Sequence, residues 1–112
     1  MTIEFNGVTI ATTANGYLEN MDDWSEDLAR HIATLEGVEM TDAHWDVVRY
    51  LREEFAGNNE HQPSTREIVK AMAERWGRPV DQKQLYELFA RDPSKQAGRI
   101  AGLPESRRKG GY

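Results

Sequence analysis

The sequence has no cysteine. That absence excludes disulfides, thiolate metal sites, iron–sulfur clusters and any cysteine nucleophile or persulfide carrier. It also leaves the redox compartment unmarked. Long hydrophobic runs are missing as well, since nothing approaches the roughly 20 apolar residues that a membrane-spanning helix needs. The start, Met1-Thr2-Ile3-Glu4-Phe5-Asn6, has no basic region and no long apolar stretch, so it does not read as a signal peptide. The expectation is a cytoplasmic protein without membrane insertion. There is no Gly-rich phosphate loop, no nucleophile elbow and no paired-histidine zinc helix. Gly110-Gly111 is terminal and is not a phosphate loop.

Basic side chains are scarce in the first half. Residues 1–60 hold 3 basic and 13 acidic side chains, residues 61–90 hold 5 and 4, and residues 91–112 hold 6 and 2, for a net charge of −5. An acidic body with a basic C-terminal tail can dock on an acidic partner or on phosphate, or the tail can simply be solvated. With 112 residues, 38% of them hydrophobic and three Trp to anchor a core, the chain is long enough for one domain that folds without metal or disulfides.

Asn6-Gly7 is the strongest two-residue hairpin signal, set between the β-prone segments Thr2–Phe5 and Val8–Ile10. Asn15-Gly16 is a second such turn leading to Tyr17-Leu18, so a meander of two or three strands is expected. A first helix starts near Asp22 or Asp23, with Asp23 and Glu26 at capping-box spacing, and buries Trp24, Leu28, Ile32 and Leu35 before Gly37. Thr41 or Asp42 caps a second helix with Trp45, Val48, Leu51 and Phe55 inside. Ser64 and Glu67 open a third, which buries Ile68, Val69, Met72 and Trp76 and breaks at Gly77-Arg78-Pro79. A fourth runs from about Asp81 to Ala90 over Leu85, Leu88 and Phe89. Asp92-Pro93 opens a fifth that ends near Gly102. The class is α+β: a small N-terminal hairpin or three-stranded meander packed on about five helices. Residues 1–104 form the domain and 105–112 a flexible basic arm.

Few constellations carry chemistry. His44 lies between Asp42 and Asp46, but residues two apart on a helix face different sides. His31, His44 and His61 therefore read as surface or half-buried structural histidines, and no metal site is expected. Asp22/Asp23 and Glu53/Glu54 sit where helix dipole and solubility explain them. The third and fourth helices have helix-turn-helix proportions, and Arg78, Gln82, Lys83, Gln84 and Tyr86 could offer cationic and amide groups to base edges. An ordinary helical hairpin has the same spacing, and a net charge of −5 opposes phosphate binding.

Gly16-Tyr17-Leu18, Asp23-Trp24, Thr41 with His44-Trp45-Asp46, Leu51-Arg52-Glu53, Leu85-Tyr86 with Leu88-Phe89, and the run Lys95 to Pro104 occur in one order and spacing. On these residues the chain resembles the DsrC/TusE/DsvC family, the sulfur-relay proteins and the so-called gamma subunit of dissimilatory sulfite reductase. The resemblance covers about residues 3 to 104. It implies a β element on a helical bundle with a helix-turn-helix-like unit and a flexible C-terminal arm. Members of that family act through a penultimate cysteine that carries a persulfide, and those tied to sulfite reduction have a second cysteine before the final conserved segment. In this sequence the penultimate residue is Gly111, ungapped counting puts Lys109 at the arm cysteine, and Gly98 stands at the second position. The family's usual lysine-proline-threonine-glycine-cysteine ending is replaced by Glu105-Ser106-Arg107-Arg108-Lys109. A thiolate is the nucleophile in sulfur transfer, so the family chemistry does not carry over.

The expected function is therefore that of a non-catalytic binding or regulatory protein of sulfur metabolism, with no cofactor. Its partners would be proteins of sulfur-relay or sulfur-oxidation and reduction pathways. Arg99, Arg107, Arg108 and Lys109 are the candidate docking residues, and Arg99 has a second reading as the structural root of the arm. A DNA-binding regulator using Arg78, Gln82, Lys83, Gln84 and Tyr86 is the alternative.

Overall fold

A computed structural model describes residues 1–105. Strands β1 (Thr2–Phe5) and β2 (Val8–Ala11) pair antiparallel, with Ile3 opposite Ile10 and Phe5 opposite Val8. Asn6 and Gly7 both have positive φ, at 51° and 76°. That is the mirror-image turn whose twist matches a right-handed hairpin, and the reason Asn-Gly serves here. The expected third strand is reduced to one antiparallel bridge between Thr12 and Leu18. Tyr17 and Leu18 are nevertheless buried, so this short return closes the hairpin onto the helices.

The first helix differs from expectation. Met21–Asp23 form a single 3₁₀ turn capped by Asn20, and α1 (Glu26–Leu35) begins only after Ser25, whose Oγ accepts from the Leu28 N–H at 3.0 Å. Asp23 and Glu26 therefore do not form a capping box. Trp24 stands between the two elements in extended conformation, at φ −73° and ψ 140°, with its indole donating to the Ile100 carbonyl 76 positions on in the chain. The buried face of α1 is Leu28, Ala29, Ile32 and Ala33. Leu35 is nearly in line with Leu28 but is the last residue of the helix, and it is 60% exposed. At the C-terminus Gly37 takes φ 77°, and the Val38 N–H reaches the Ala33 carbonyl at 2.8 Å, closing the helix in a left-handed cap.

Helix α2 (Asp42–Gly57) starts after Thr41, as expected. Helix α3 (Thr65–Trp76) has the expected reciprocal cap, Ser64 with Glu67, and ends on Gly77 at φ 65°. Helix α4 (Gln82–Leu88) is shorter than expected, since Phe89 turns extended and inserts fully into the core. Helix α5 (Pro93–Ile100) has proline in its first turn, but the Asp92 side chain does not cap it. The buried Gln96 amide oxygen instead accepts from the Arg91 N–H at 3.3 Å.

Helix α5 is the hub, in contact with α1, α2, α3 and α4. Its inner residues Ala97 and Gly98, and Ala101 just past its end, are small and buried. Around them lie Leu28, Ile32, Val47, Val48, Leu51, Ile68, Met72, Leu85 and Phe89. Each large buried side chain contributes roughly 1.5–3 kcal/mol of hydrophobic stabilisation, so the end of α5 is among the most firmly seated parts of the chain. No described helix is long and apolar enough to cross a membrane.

Candidate functional site at the root of the C-terminal segment

The last described residues leave α5 along a path held from four sides. Gly102 takes φ 73°, the Gly102 N–H donates to the Arg99 carbonyl, and the Leu103 N–H donates to the Gly98 carbonyl, both at 3.1 Å. This is the Schellman arrangement that glycine favours after a helix. Glycine is required for a second reason, because a Cβ at position 102 would overlap the Trp24 ring. Trp24 Nε1 donates to the Ile100 carbonyl at 2.9 Å, and Arg52 Nη1 donates to the Ala101 carbonyl at 2.6 Å. Further along, Gln62 Nε2 donates to the Pro104 carbonyl at 3.1 Å, and Asn15 Nδ2 donates to Glu105 Oε2 at 2.6 Å. Four distant segments thus converge on residues 100–105.

Arg99 belongs to the same assembly. Its Nε and Nη2 donate to the two Glu36 oxygens at 2.7 and 2.8 Å, and both side chains are only 16% exposed. Gln96 Nε2 adds a third bond to Glu36, at 3.0 Å. Hydrogen bonding to Glu36 raises the Arg99 pKa further, against the opposing effect of burial. The guanidinium also lies 5.6 Å from the centre of the Tyr17 ring. Arg99 is therefore bound into the body through Glu36. Arg107, Arg108 and Lys109 lie outside the described residues.

Gly98 faces a narrow recess lined by Tyr17, Leu51, Gln62, Pro63, Ser94, Lys95 and Leu103. A Cβ at 98 would meet nothing within 4 Å. Position 98 thus has room for a Cβ. No group of three or more histidine, aspartate or glutamate side chains suited to a metal ion occurs among the described residues.

The residues considered for reading DNA are only partly available. Arg78, Gln82, Lys83 and Tyr86 are exposed. Gln84 is occupied, since its Oε1 accepts from the Asp81 N–H at 3.0 Å in the cap of α4. The Arg78 guanidinium lies 5.2 Å from the Trp76 ring centre.

Each histidine makes a contact within the fold, and His44 is more deeply buried than expected, with 6% of its surface exposed. Its Nε2 donates to the Leu88 carbonyl at 2.9 Å, while Nδ1 accepts from the Thr41 N–H at 3.1 Å. A carbonyl can only accept and an amide can only donate, so the ring is neutral with its proton on Nε2. Burial pushes its pKa below the ordinary value, more than the Leu88 bond raises it. His61 lies 2.7 Å from the Glu67 carboxylate, and His31 packs on Phe5.

Sequence reasoning missed the roles of Glu36, Gln96, Arg52 and Asn15. The i, i+3 spacing of Gln96 and Arg99 placed both on one face of α5, but nothing local announced that Glu36, 63 positions from Arg99, would meet them.

Comparison with known proteins agrees with this architecture. The profile of the family described as DsrC like protein matches residues 4–108. Sulfurtransferase TusE of Yersinia pestis is 46% identical over 104 residues, covering 92% of this chain and 94% of that protein. The sulfurtransferase TusE homolog of Haemophilus influenzae is 42% identical over 104 residues, with 92% and 94% covered. Among solved structures, Allochromatium vinosum DsrC superposes with a TM-score of 0.85 at 37% identity, covering 96% of each chain. The oxidized gamma-subunit of the dissimilatory sulfite reductase (DsrC) from Archaeoglobus fulgidus gives a TM-score of 0.85 at 28% identity, over 96% of this chain and 98% of that one. With the hairpin, the helical order and the held turn at Gly102 in place, the chain belongs to the DsrC-like family.

Proposed function

We propose that this protein is a sulfur-relay family member that binds partner proteins of the pathway without itself carrying sulfur. One observation carries the reading: a whole DsrC-like domain is built from a sequence with no cysteine. A persulfide needs a thiolate to form and to be passed on. Lysine or glycine at the positions discussed above cannot replace it. What such a chain retains is a shape, and shape serves binding.

The basic residues Arg107, Arg108 and Lys109 are the docking charges in this proposal, with the Trp24, Arg52 and Gln62 contacts fixing where their segment leaves the body. Exposed charges of this kind mainly set encounter rate and salt sensitivity. Arg99 holds the root in place. The DNA-reading alternative draws no comparable support, because α4 is only seven residues long and Gln84 is engaged in its cap.

Two measurements test the proposal. Incubation with a persulfide donor, followed by intact-mass analysis, should show no stable gain of about 32 Da per sulfur; such a gain would end the non-carrier reading. Capture of sulfur-relay proteins from native lysate should require residues 105–112. Capture that survives truncation after Pro104 would remove the docking role from that segment.

A further inference from the structure

Residues 1–60 contain only three basic side chains, Arg30, Arg49 and Arg52, against 13 acidic ones. Arg52 is turned inward, against Trp24 and the Ala101 carbonyl. The other two meet at one place. The Arg30 guanidinium, from α1, lies 5.1 Å from the centre of the Trp45 ring, and the Arg49 guanidinium, from α2, lies 5.9 Å from it. The positive charge that reaches the surface of this acidic half is thus gathered around a single half-buried indole.

We propose that Arg30, Trp45 and Arg49 form a docking surface for a carboxylate-rich segment of a protein partner. A guanidinium fork matches a carboxylate in two parallel hydrogen bonds. Trp and Arg are the side chains in which interface energy concentrates. The ring holds both guanidinium groups near their binding positions, which lowers the cost of ordering them. Arg49 is exposed and forms no ion pair among the described residues. Arg30 pairs with Asp27 at 2.9 Å and with Glu26 at 4.0 Å, but all three side chains are at least 54% exposed, so both pairs are weak and exchangeable.

The surroundings select the partner. A nucleic acid needs a long positive face, and two arginines in an acidic half do not provide one. A short segment that sets its carboxylates on two guanidinium groups escapes most of that repulsion, and the same repulsion rejects longer acidic chains. This surface lies on α1 and α2, not at the root of the C-terminal segment, so it stands or falls independently of the docking role given to residues 107–109.

The test is titration of the isotope-labelled full chain with a capped glutamate-rich peptide, followed by NMR. Saturable shifts of the Trp45 indole N–H and of the Arg30 and Arg49 side-chain N–H signals are expected, with a Kd of about 1 mM or tighter. Replacing glutamate by glutamine in the peptide should abolish them. Arg49→Gln should weaken binding about tenfold, the size of one charge-assisted pair, while circular dichroism stays that of the parent. Absence of shifts, shifts centred on Arg66, Lys70 or Lys83, or unchanged affinity in Arg49→Gln would overturn the assignment.

Discussion

The Arg52 guanidinium lies 3.8 Å from the centre of the Trp24 ring, and each of the two side chains donates to a different carbonyl at the end of α5. The stack and the two bonds support one another. The ring limits where the guanidinium can go, and the guanidinium covers the ring. Burial lowers the Arg52 pKa, but an arginine in a protein stays charged. Arg52→Ala should therefore destabilise the fold by about 2 kcal/mol, the combined loss of a charge-assisted bond and a cation–π contact. Arg52→Lys should recover only part of that, since an ammonium lacks the flat face. Urea unfolding of the three proteins checks both statements.

Gly102→Ala should cost about 2–4 kcal/mol. The added methyl meets the Trp24 ring, and the left-handed backbone is unfavourable for alanine. Thermal denaturation gives the loss directly. A stability within 1 kcal/mol of the parent would mean that Trp24 moves aside freely.

Gly98→Ala should behave in the opposite way. The site has space for the methyl and sits inside a helix, so the substitution should stabilise by about 0.5–1 kcal/mol. Gly98→Cys would give the chain its sole thiol. Alkylation kinetics in the folded state would then report how open the recess is.

Glu36→Gln should destabilise by about 3 kcal/mol, because it leaves the Arg99 charge half-buried without its partner. The double change Glu36→Gln with Arg99→Gln should be less harmful than the sum of the single changes. A double-mutant cycle in chemical denaturation measures that coupling, and strict additivity would refute it.

Protonation of His44 should oppose folding. Its folded pKa is lowered from the ordinary 6.5, so below that pH the unfolded chain binds more protons than the folded one. The His44 contribution is fully present above pH 6.5 and is lost as pH falls from there through the folded pKa. A His44→Gln variant should lack this part of the pH profile, as read by unfolding midpoints across the acidic range. The reason is geometric: a second ring proton would face the Thr41 N–H.

Much of this fold was legible from short-range chemistry. Asn6-Gly7 could hardly be anything but a hairpin turn, and the Ser64–Glu67 and Asp81–Gln84 caps are contained in four residues each. The missing thiol needs no structure at all. Misreadings arose where a side chain answers to a distant partner. Trp24 fits the apolar stripe of α1 by spacing, yet it breaks the helix to reach Ile100. Arg99 has two readings in one dimension, docking cation or root of the arm, and its pairing with Glu36 appears only in three.

Side-chain inventory alone accounts for the absence of a thiol, and local backbone preference accounts for the hairpin and most helix starts, because those depend on neighbours a few bonds away. The held exit of the chain after α5, the buried Glu36–Gln96–Arg99 cluster and the gathering of Arg30 and Arg49 on Trp45 came only with folding. They depend on which helix faces pack together, and packing is a property of the whole chain that no short window contains.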